Sequence, residues 1–535
     1  MTSDDARPLQ DRPGEAPAGE AVVTCEDEAA TCRAAEDLAM ALRPGDCVCL
    51  VGDLGAGKST FARALIRALA DDDALDVPSP TFTLVQSYAL PRFAVAHFDL
   101  YRLEDPEEVD ELGLEDALET GVALVEWPER AAAAIPRSRL VLRIDAEVQE
   151  GARRLAFSWE EGDWGHRIAR TFAIRDLVVQ AGMEGATRRY FQGDASPRRF
   201  ETVVDGERRA ILVNADPALR PPAPVLRDGL SYAEIVHLAD QSSEAVVAVA
   251  HALRERGFAT PALLGADLQA GILLQEDLGR GKVVDTEGNP VPERYAAAMD
   301  VLADLHATPP ENPLPLPEAA RASPNAAWHL PSFDLRAFLV EVELFLDWSL
   351  PEAGITADDG LRAEFAALWT PLLESALAGS RTWVLRDYHS PNLIWRAERK
   401  WHERIGIVDT QDTVIGPDAY DVASLAQDAR VDIPRQLEAD LVARYVARRL
   451  EIDPAFDTER FARDYAIVAA QRATRILGVF RRLHRRDGKP AYLRHLPRVR
   501  DYLVRALETG DLAELREWFA GHDPDLADRL GRTAH

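Results

Sequence analysis

The stretch Gly52-Asp53-Leu54-Gly55-Ala56-Gly57-Lys58-Ser59-Thr60 constrains the fold more than any other part of the chain. Its glycines, lysine and hydroxyl residue spell a phosphate-binding loop, and such a loop works only between a strand and a helix. Cys47–Val51 is a short apolar run that reads as a buried strand, and Phe61, Leu65, Ile66 and Leu69 recur at helical spacing. In that order the backbone N–H groups and the helix N-terminus face phosphate oxygens. Lys58 then reaches the β and γ phosphates, and Ser59 offers its hydroxyl to Mg2+. The sequence predicts an α/β nucleotide-binding fold near the start of the chain.

At 535 residues the chain is too long for one core, so two or three domains are expected. The net charge of −29 is unusual, and residues 1–170 hold 17 Lys and Arg against 34 Asp and Glu. So acidic a segment lacks the clustered cations that hold a nucleic acid backbone, and any RNA there must be held by a partner. Cys25, Cys32, Cys47 and Cys49 form no Cys-x-x-Cys pair and read as buried small hydrophobes in a reducing compartment. Residues 1–20 read as a disordered tail without a signal peptide. No run approaches the roughly 18 apolar residues of a membrane span, so a cytoplasmic protein is expected. A first domain spans 21–170, with its junction near residues 159–173. Strand-like patches at Glu201–Val204 and Ala210–Val213 then precede a mostly helical remainder from about Arg294.

Three further motifs follow in the first domain. Ser79-Pro80-Thr81-Phe82-Thr83 is a hydroxyl-rich turn, and His97-Phe98-Asp99-Leu100-Tyr101-Arg102 puts a carboxylate at a strand end, where a second Mg2+ ligand belongs. Val125-Glu126-Trp127-Pro128-Glu129-Arg130 repeats that placement. Together with Gly52–Thr60, over roughly residues 22–160, these motifs resemble the small ATPase subunit of the bacterial tRNA threonylcarbamoyladenosine machinery, the TsaE family. The resemblance implies that Lys58 and Ser59 hold ATP phosphates and metal, with Asp99 as second metal ligand. It puts Thr81 in a switch-like loop near the γ phosphate, makes Glu126 the carboxylate that supports hydrolysis and sets Trp127 beside the nucleotide. It also implies work with the other subunits of that complex, through residues 21–170, with tRNA met only indirectly.

Leu385-Arg386-Asp387-Tyr388-His389-Ser390-Pro391-Asn392 carries the next chemistry. An Asp and an Asn five residues apart, before an apolar run, match the catalytic loop of kinase-type phosphotransferases. Asp387 takes or orients the hydroxyl proton and Asn392 binds Mg2+. Asp409, seventeen residues on and ending the apolar run from Ile405, is the expected second metal ligand. Across 171–535 these residues resemble the aminoglycoside-phosphotransferase-like kinases, a bilobal α+β protein-kinase-like fold with an N-lobe at 171–280 and a helical C-lobe at 281–535. The phrases Gly193–Ser196, Glu276–Gly279, Gly416–Asp421 and Arg486–Lys489 narrow the likeness to anomeric sugar kinases acting on N-acetylmuramate and N-acetylglucosamine in cell-wall recycling. The likeness implies that Gly193, Asp194 and Ser196 cover the phosphates of ATP and that Gln275–Leu278, with Glu276 and Leu278, meets adenine. It makes Asp421 a brace for the catalytic loop.

The sequence departs from the kinase pattern in two places. The strand Ala210–Asn214 lacks the usual phosphate-holding Lys, with Arg208 or Arg209 as possible substitutes, and Thr410 follows Asp409 where an aromatic is commoner. Another small-alcohol kinase of the same superfamily and a nucleotide-binding pseudokinase therefore stay open. Glu341–Trp348 reads as an amphipathic helix with Leu344, Phe345 and Trp348 in the core, and the Arg-rich run 472–500 as a solvated helical face, with an anion patch as its alternative.

Overall fold

The computed structural model describes residues 18–532 apart from 106–107, 148, 150, 192–197, 221, 240–241 and 321–325. The expected tail lies outside them up to residue 17. Its last residues belong instead to strand β1, Gly19–Cys25. By packing, the chain divides into two compact units, after Asn214.

The first unit is built on a seven-stranded sheet. Six strands follow β1: β2 Cys47–Val51, β3 Val85–Ala89, β4 Ala94–Asp99, β5 Val122–Glu126, β6 Leu140–Ala146 and β7 Arg153–Trp159, in the order β1-β7-β6-β2-β5-β4-β3. β2 is central and parallel to both β5 and β6, and it reads as a continuous apolar run because both of its faces are covered. Val48 and Leu50 join the core of one face while Cys47 and Cys49 join that of the other. All four cysteines are free, and only Cys32 is partly open. Helix α1, Glu28–Ala41, starts where Asp27 accepts the Ala30 N–H at 2.7 Å, and α2, Lys58–Ala70, leaves the glycine loop.

The stretch around residue 170, expected to join two domains, is helical. Helix α3 runs unbroken over Trp164–Gln180 and leads to three antiparallel strands, β8 Thr187–Phe191, β9 Arg199–Asp205 and β10 Arg208–Asn214. A buried ion cluster ties them to the first sheet's helices. Arg188 on β8, 1% exposed, donates to Glu201 on β9 at 2.7 and 3.1 Å and to Asp37 on α1 at 2.8 Å. Arg175 on α3 grips the same Asp37 with two bonds of 2.8 Å, and Arg189 reaches Asp73, just beyond α2, at 2.6 Å. Asp37 and Asp73 lie more than a hundred residues from the arginines they meet, so the sequence pattern does not show this packing.

The second unit carries a hairpin, β11 Leu263–Asp267 with β12 Ile272–Glu276, and is otherwise mostly helical. Two short antiparallel pairs frame its central loops: β13 Arg381–Val384 with β16 Val414–Pro417, and β14 Leu393–Trp395 with β15 Ile405–Ile407. Helix α4, Leu335–Trp348, packs on the 28-residue helix α5, Thr458–Arg485. They meet at Gly478, where an added Cβ would lie 2.4 Å from the Leu344 backbone. Leu344 and Phe345 are core residues as expected, but Trp348 is only half-buried. The Arg-rich run departs from expectation as well. Arg472, Arg481 and Arg500 are at most 9% exposed, whereas Arg485, Arg486 and Arg494 are exposed, so only part of the run is a solvated face.

Candidate functional site

In the first unit the phosphate loop emerges from β2 and ends at α2. Gly52 belongs there for steric reasons, since a Cβ would sit 2.4 Å from the Ile144 carbonyl oxygen. Lys58 is 5% exposed; its Nζ donates to the carbonyls of Gly52 at 2.8 Å and Asp53 at 3.0 Å and lies 4.0 Å from the centre of the Trp127 ring. Burial holds its ammonium below the usual lysine range, although Glu126 and Asp99 oppose that. Trp127 takes a left-handed backbone, φ 58°, which turns its ring toward the loop.

The sheet register then gathers the carboxylates. Asp99 and Glu126 are paired neighbours at the ends of β4 and β5, and Glu126 also pairs with Leu50 of β2, just before the loop. Ser59 Oγ donates to Glu126 Oε2 at 3.2 Å, and Thr81 Oγ1 donates to Asp99 Oδ2 at 2.7 Å. Lys58, Ser59, Thr81, Asp99, Glu126 and Trp127 are therefore brought together, while the Leu54 side chain is 82% exposed and points away from the core. Two contributors were missed by sequence reasoning. His97, two residues before Asp99 on the same strand, lies 3.0 Å by its Nε2 from Glu126 Oε1, and Arg153 donates to the Ala56 carbonyl at 2.8 Å. The strand period would have put His97 on the face of Asp99; nothing local in sequence points to Arg153.

In the second unit, loop 385–392 lies between the two short strand pairs. Arg386 adopts φ 66° and Asp409 φ 61°, left-handed conformations that the surroundings must enforce. Asp421 does so for the first, accepting the N–H groups of Leu385 at 2.5 Å and Arg386 at 2.9 Å. Burial pushes its carboxyl up to about 7, with those N–H bonds working the other way. Register does so for the second: Leu393 faces Ile407, so Asn392 stands beside Val408 and Asp409. Asn392 Nδ2 donates to the Asp387 carbonyl at 3.1 Å and lies 3.5 Å from Asp409 Oδ2. Asp387 Oδ1 is 3.6 Å from His389 Nε2, which in turn is 2.9 Å from Arg430 Nη1. Burial raises the Asp387 carboxyl, but the bond to His389 and the positive fields of His389, Arg475 and Arg430 outweigh it. The group stays well below the usual carboxylate range, ready to accept a hydrogen bond from a hydroxyl.

The expected hinge runs close by. Leu278 is 8% exposed and packs over Gly406 of β15, and Trp395 N donates to the Gly281 carbonyl at 3.0 Å. The Glu276 carboxylate is engaged by Arg254 and the Ala262 N–H, each at 3.2 Å, and its own N–H donates to the Ala262 carbonyl at 2.8 Å. Gly193, Asp194 and Ser196 lie outside the described residues. Arg208 is turned to the Ala181 and Gly182 carbonyls, so it does not stand in for the strand lysine. Glu341, 0% exposed and bonded to Arg386 at 2.5 Å, is structural. Among the described residues no three His, Cys, Asp or Glu side chains gather into a metal cage. The candidate donors, Ser59 and Asp99 in the first unit and Asn392 beside Asp409 in the second, offer hard oxygens. They suit Mg2+ held jointly with phosphates.

Comparison with known proteins agrees with this division of chemistry. Residues 25–155 match the family model described as threonylcarbamoyl adenosine biosynthesis protein TsaE, and residues 187–462 match the phosphotransferase enzyme family. An N-acetylmuramate/N-acetylglucosamine kinase of Caulobacter vibrioides is 34% identical over 352 residues, covering 64% of this chain and 94% of that protein. tRNA threonylcarbamoyladenosine biosynthesis proteins TsaE of Rickettsia conorii and Rickettsia typhi are 45% and 43% identical over 106 residues, 20% of this chain. The matched segments span 60% and 73% of those two relatives.

Proposed function

Since the chain belongs to the TsaE family at its N-terminal end and to the phosphotransferase enzyme family over most of the remainder, we infer that it joins two ATP-using activities with distinct substrates. The longer part is a sugar kinase that transfers the γ-phosphoryl group of ATP to the anomeric hydroxyl of N-acetylmuramate or N-acetylglucosamine. The Asp387–Asn392–Asp409 constellation carries this reading. Asp387 orients the hydroxyl for in-line attack and takes its proton as the new O–P bond forms and the bond to the ADP oxygen breaks. Asn392 and Asp409 hold Mg2+, which neutralises charge on the phosphates. Asp421 keeps the loop in its left-handed bend, so positioning does most of the catalytic work.

The shorter part is the ATPase that supports tRNA threonylcarbamoyladenosine formation, docking through residues 21–170 with the other subunits of that complex and meeting tRNA only through them. Lys58 and the loop N–H groups bind phosphate, Ser59 and Asp99 hold Mg2+, and Thr81, bonded to Asp99, senses the γ phosphate. Glu126 directs the attacking water while His97 fixes its carboxylate. Among the described residues no helix is long and apolar enough to cross a membrane, and the two proposed substrates support a cytoplasmic location.

Phosphorus NMR of the purified chain with Mg·ATP and the two sugars tests the kinase reading. A sugar 1-phosphate signal that disappears in Asp387→Asn supports it. Wild-type turnover that persists in Asp387→Asn removes that residue from the mechanism, and absence of sugar phosphate with either sugar removes the substrate.

A further inference from the structure

One face of α5 carries Arg475 and, seven positions later, Arg482, with Arg486 just past the helix end continuing the same line. Arg475 begins that line beside the catalytic loop: its Nε is 3.3 Å from Glu341, which also binds Arg386, the neighbour of Asp387. Arg482 lies about 10 Å further along the helix at the ordinary rise per residue.

The arginines around it each hold a carboxylate, in two cases a shared one. Arg475 and Arg386 share Glu341, Arg481 and Arg485 share Glu352, and Arg486 holds Asp487. Arg482 is different. Among the described residues it makes no ion pair, and its buried Nε has no hydrogen-bond partner. Its guanidinium is stacked 4.8 Å from the centre of the Tyr232 ring, which holds the planar fork in place without neutralising it. Burial lowers its proton affinity; Tyr232 and Asp487 oppose that, while Arg486 and Arg475 add to it by repulsion. A half-buried cation that makes no ion pair is costly, and an incoming carboxylate would relieve that cost through a two-pronged charge-assisted contact.

The substrate pair of the sugar-kinase reading differs in the required way. N-acetylmuramate is N-acetylglucosamine bearing a lactyl ether, so one sugar brings a carboxylate to the site and the other does not. We propose that Arg482, held by Tyr232, receives the carboxylate of the acidic amino sugar and so sets this chain's preference between the acidic and the neutral substrate. The inference rests on that reading of the kinase site.

The test is kcat/KM for both sugars in the full-length chain, for wild type, Arg482→Gln and Arg482→Lys, with each melting transition recorded. A hydrogen bond to a charged group contributes about 1.5–3 kcal/mol, so Arg482→Gln is expected to lower the acidic-to-neutral ratio roughly 10- to 150-fold. The fall should come mainly through KM for N-acetylmuramate, and Arg482→Lys should recover part of it. An equal loss on both sugars in a variant with the wild-type melting transition means that Arg482 serves ATP or the loop, and overturns the proposal. An unchanged ratio overturns it too. A wild-type chain that phosphorylates neither sugar overturns the sugar reading itself and this inference with it.

Discussion

Replacing Arg188 by Met should unseat the strands β8 and β9 from the phosphate-loop fold. Arg188 is 1% exposed, Glu201 and Asp37 are each 3% exposed, and four short bonds link them and the Thr171 hydroxyl. Methionine preserves most of the volume but removes the cation. Asp37 keeps both bonds to Arg175, whereas Glu201 is left buried without its Arg188 partner. Removing one partner of a buried pair costs about 3–5 kcal/mol, while replacing both by apolar groups is often neutral. For a unit of this size each kcal/mol shifts Tm by about 2–4 °C, so Arg188→Met should lower the transition of the first unit by roughly 6–20 °C. Arg188→Met combined with Glu201→Met should recover most of that loss. Calorimetry of the full chain at pH 7 reads both. A shift under about 2 °C, or a double variant no better than the single one, would refute the idea that this cluster joins the two sets of strands. The point bears on function because Gly193–Ser196, read from sequence as the phosphate cover of the kinase, come after β8 and before β9 in the chain.

Further outcomes follow from the same geometry. His306 is 2% exposed, and burial, with repulsion from Arg449, depresses its imidazole to about 3. The unfolded chain therefore binds a proton below about pH 6.5 that the folded chain refuses, and stability falls as pH drops. Urea titrations at pH 6.5 and 5 should show wild type losing about 2 kcal/mol more than His306→Gln, and equal losses would discard this group as the cause. Gly52→Ala forces a Cβ onto the Ile144 carbonyl and should abolish nucleotide binding at the phosphate loop while leaving sugar phosphorylation in place; wild-type ATP binding would contradict the fit. Asp421→Asn puts an amide where a carboxylate now accepts two N–H groups, so kcat for sugar phosphorylation should fall about 10- to 100-fold with little change in the KM for ATP. An unchanged kcat would deny the brace.

The parts of the molecule most legible in sequence are those where chemistry dictates spacing. The phosphate loop needs a strand before it and a helix after it, so β2 and α2 could be read directly, and Asp99 and Glu126 stand at the ends of apolar runs that read as strands. Asn392 and Asp409 were recognisable from their spacing to Asp387 and to the apolar run that ends at Asp409, and the β14–β15 pairing sets them side by side. What stayed hidden depends on distant partners. Arg481 looks solvated until Glu352, from another element, is found beside it, and Arg188 looks like a surface strand residue until Asp37 arrives from the first domain. The same long-range pairing carries α3 across the expected junction near residue 170 and moves the packing boundary to Asn214. His97 was within reach, since strand alternation aligns it with Asp99, but its role needs Glu126 from the neighbouring strand.

The measurement that bears most directly on a chain with two separate ATP sites is the number of Mg·ATP-analogue molecules bound per chain, taken by equilibrium dialysis together with sugar phosphate formation. The account predicts two sites in wild type, and one in Lys58→Ala with sugar phosphorylation retained. A single site in wild type, or a Lys58→Ala chain that still binds two or no longer phosphorylates sugar, would contradict it.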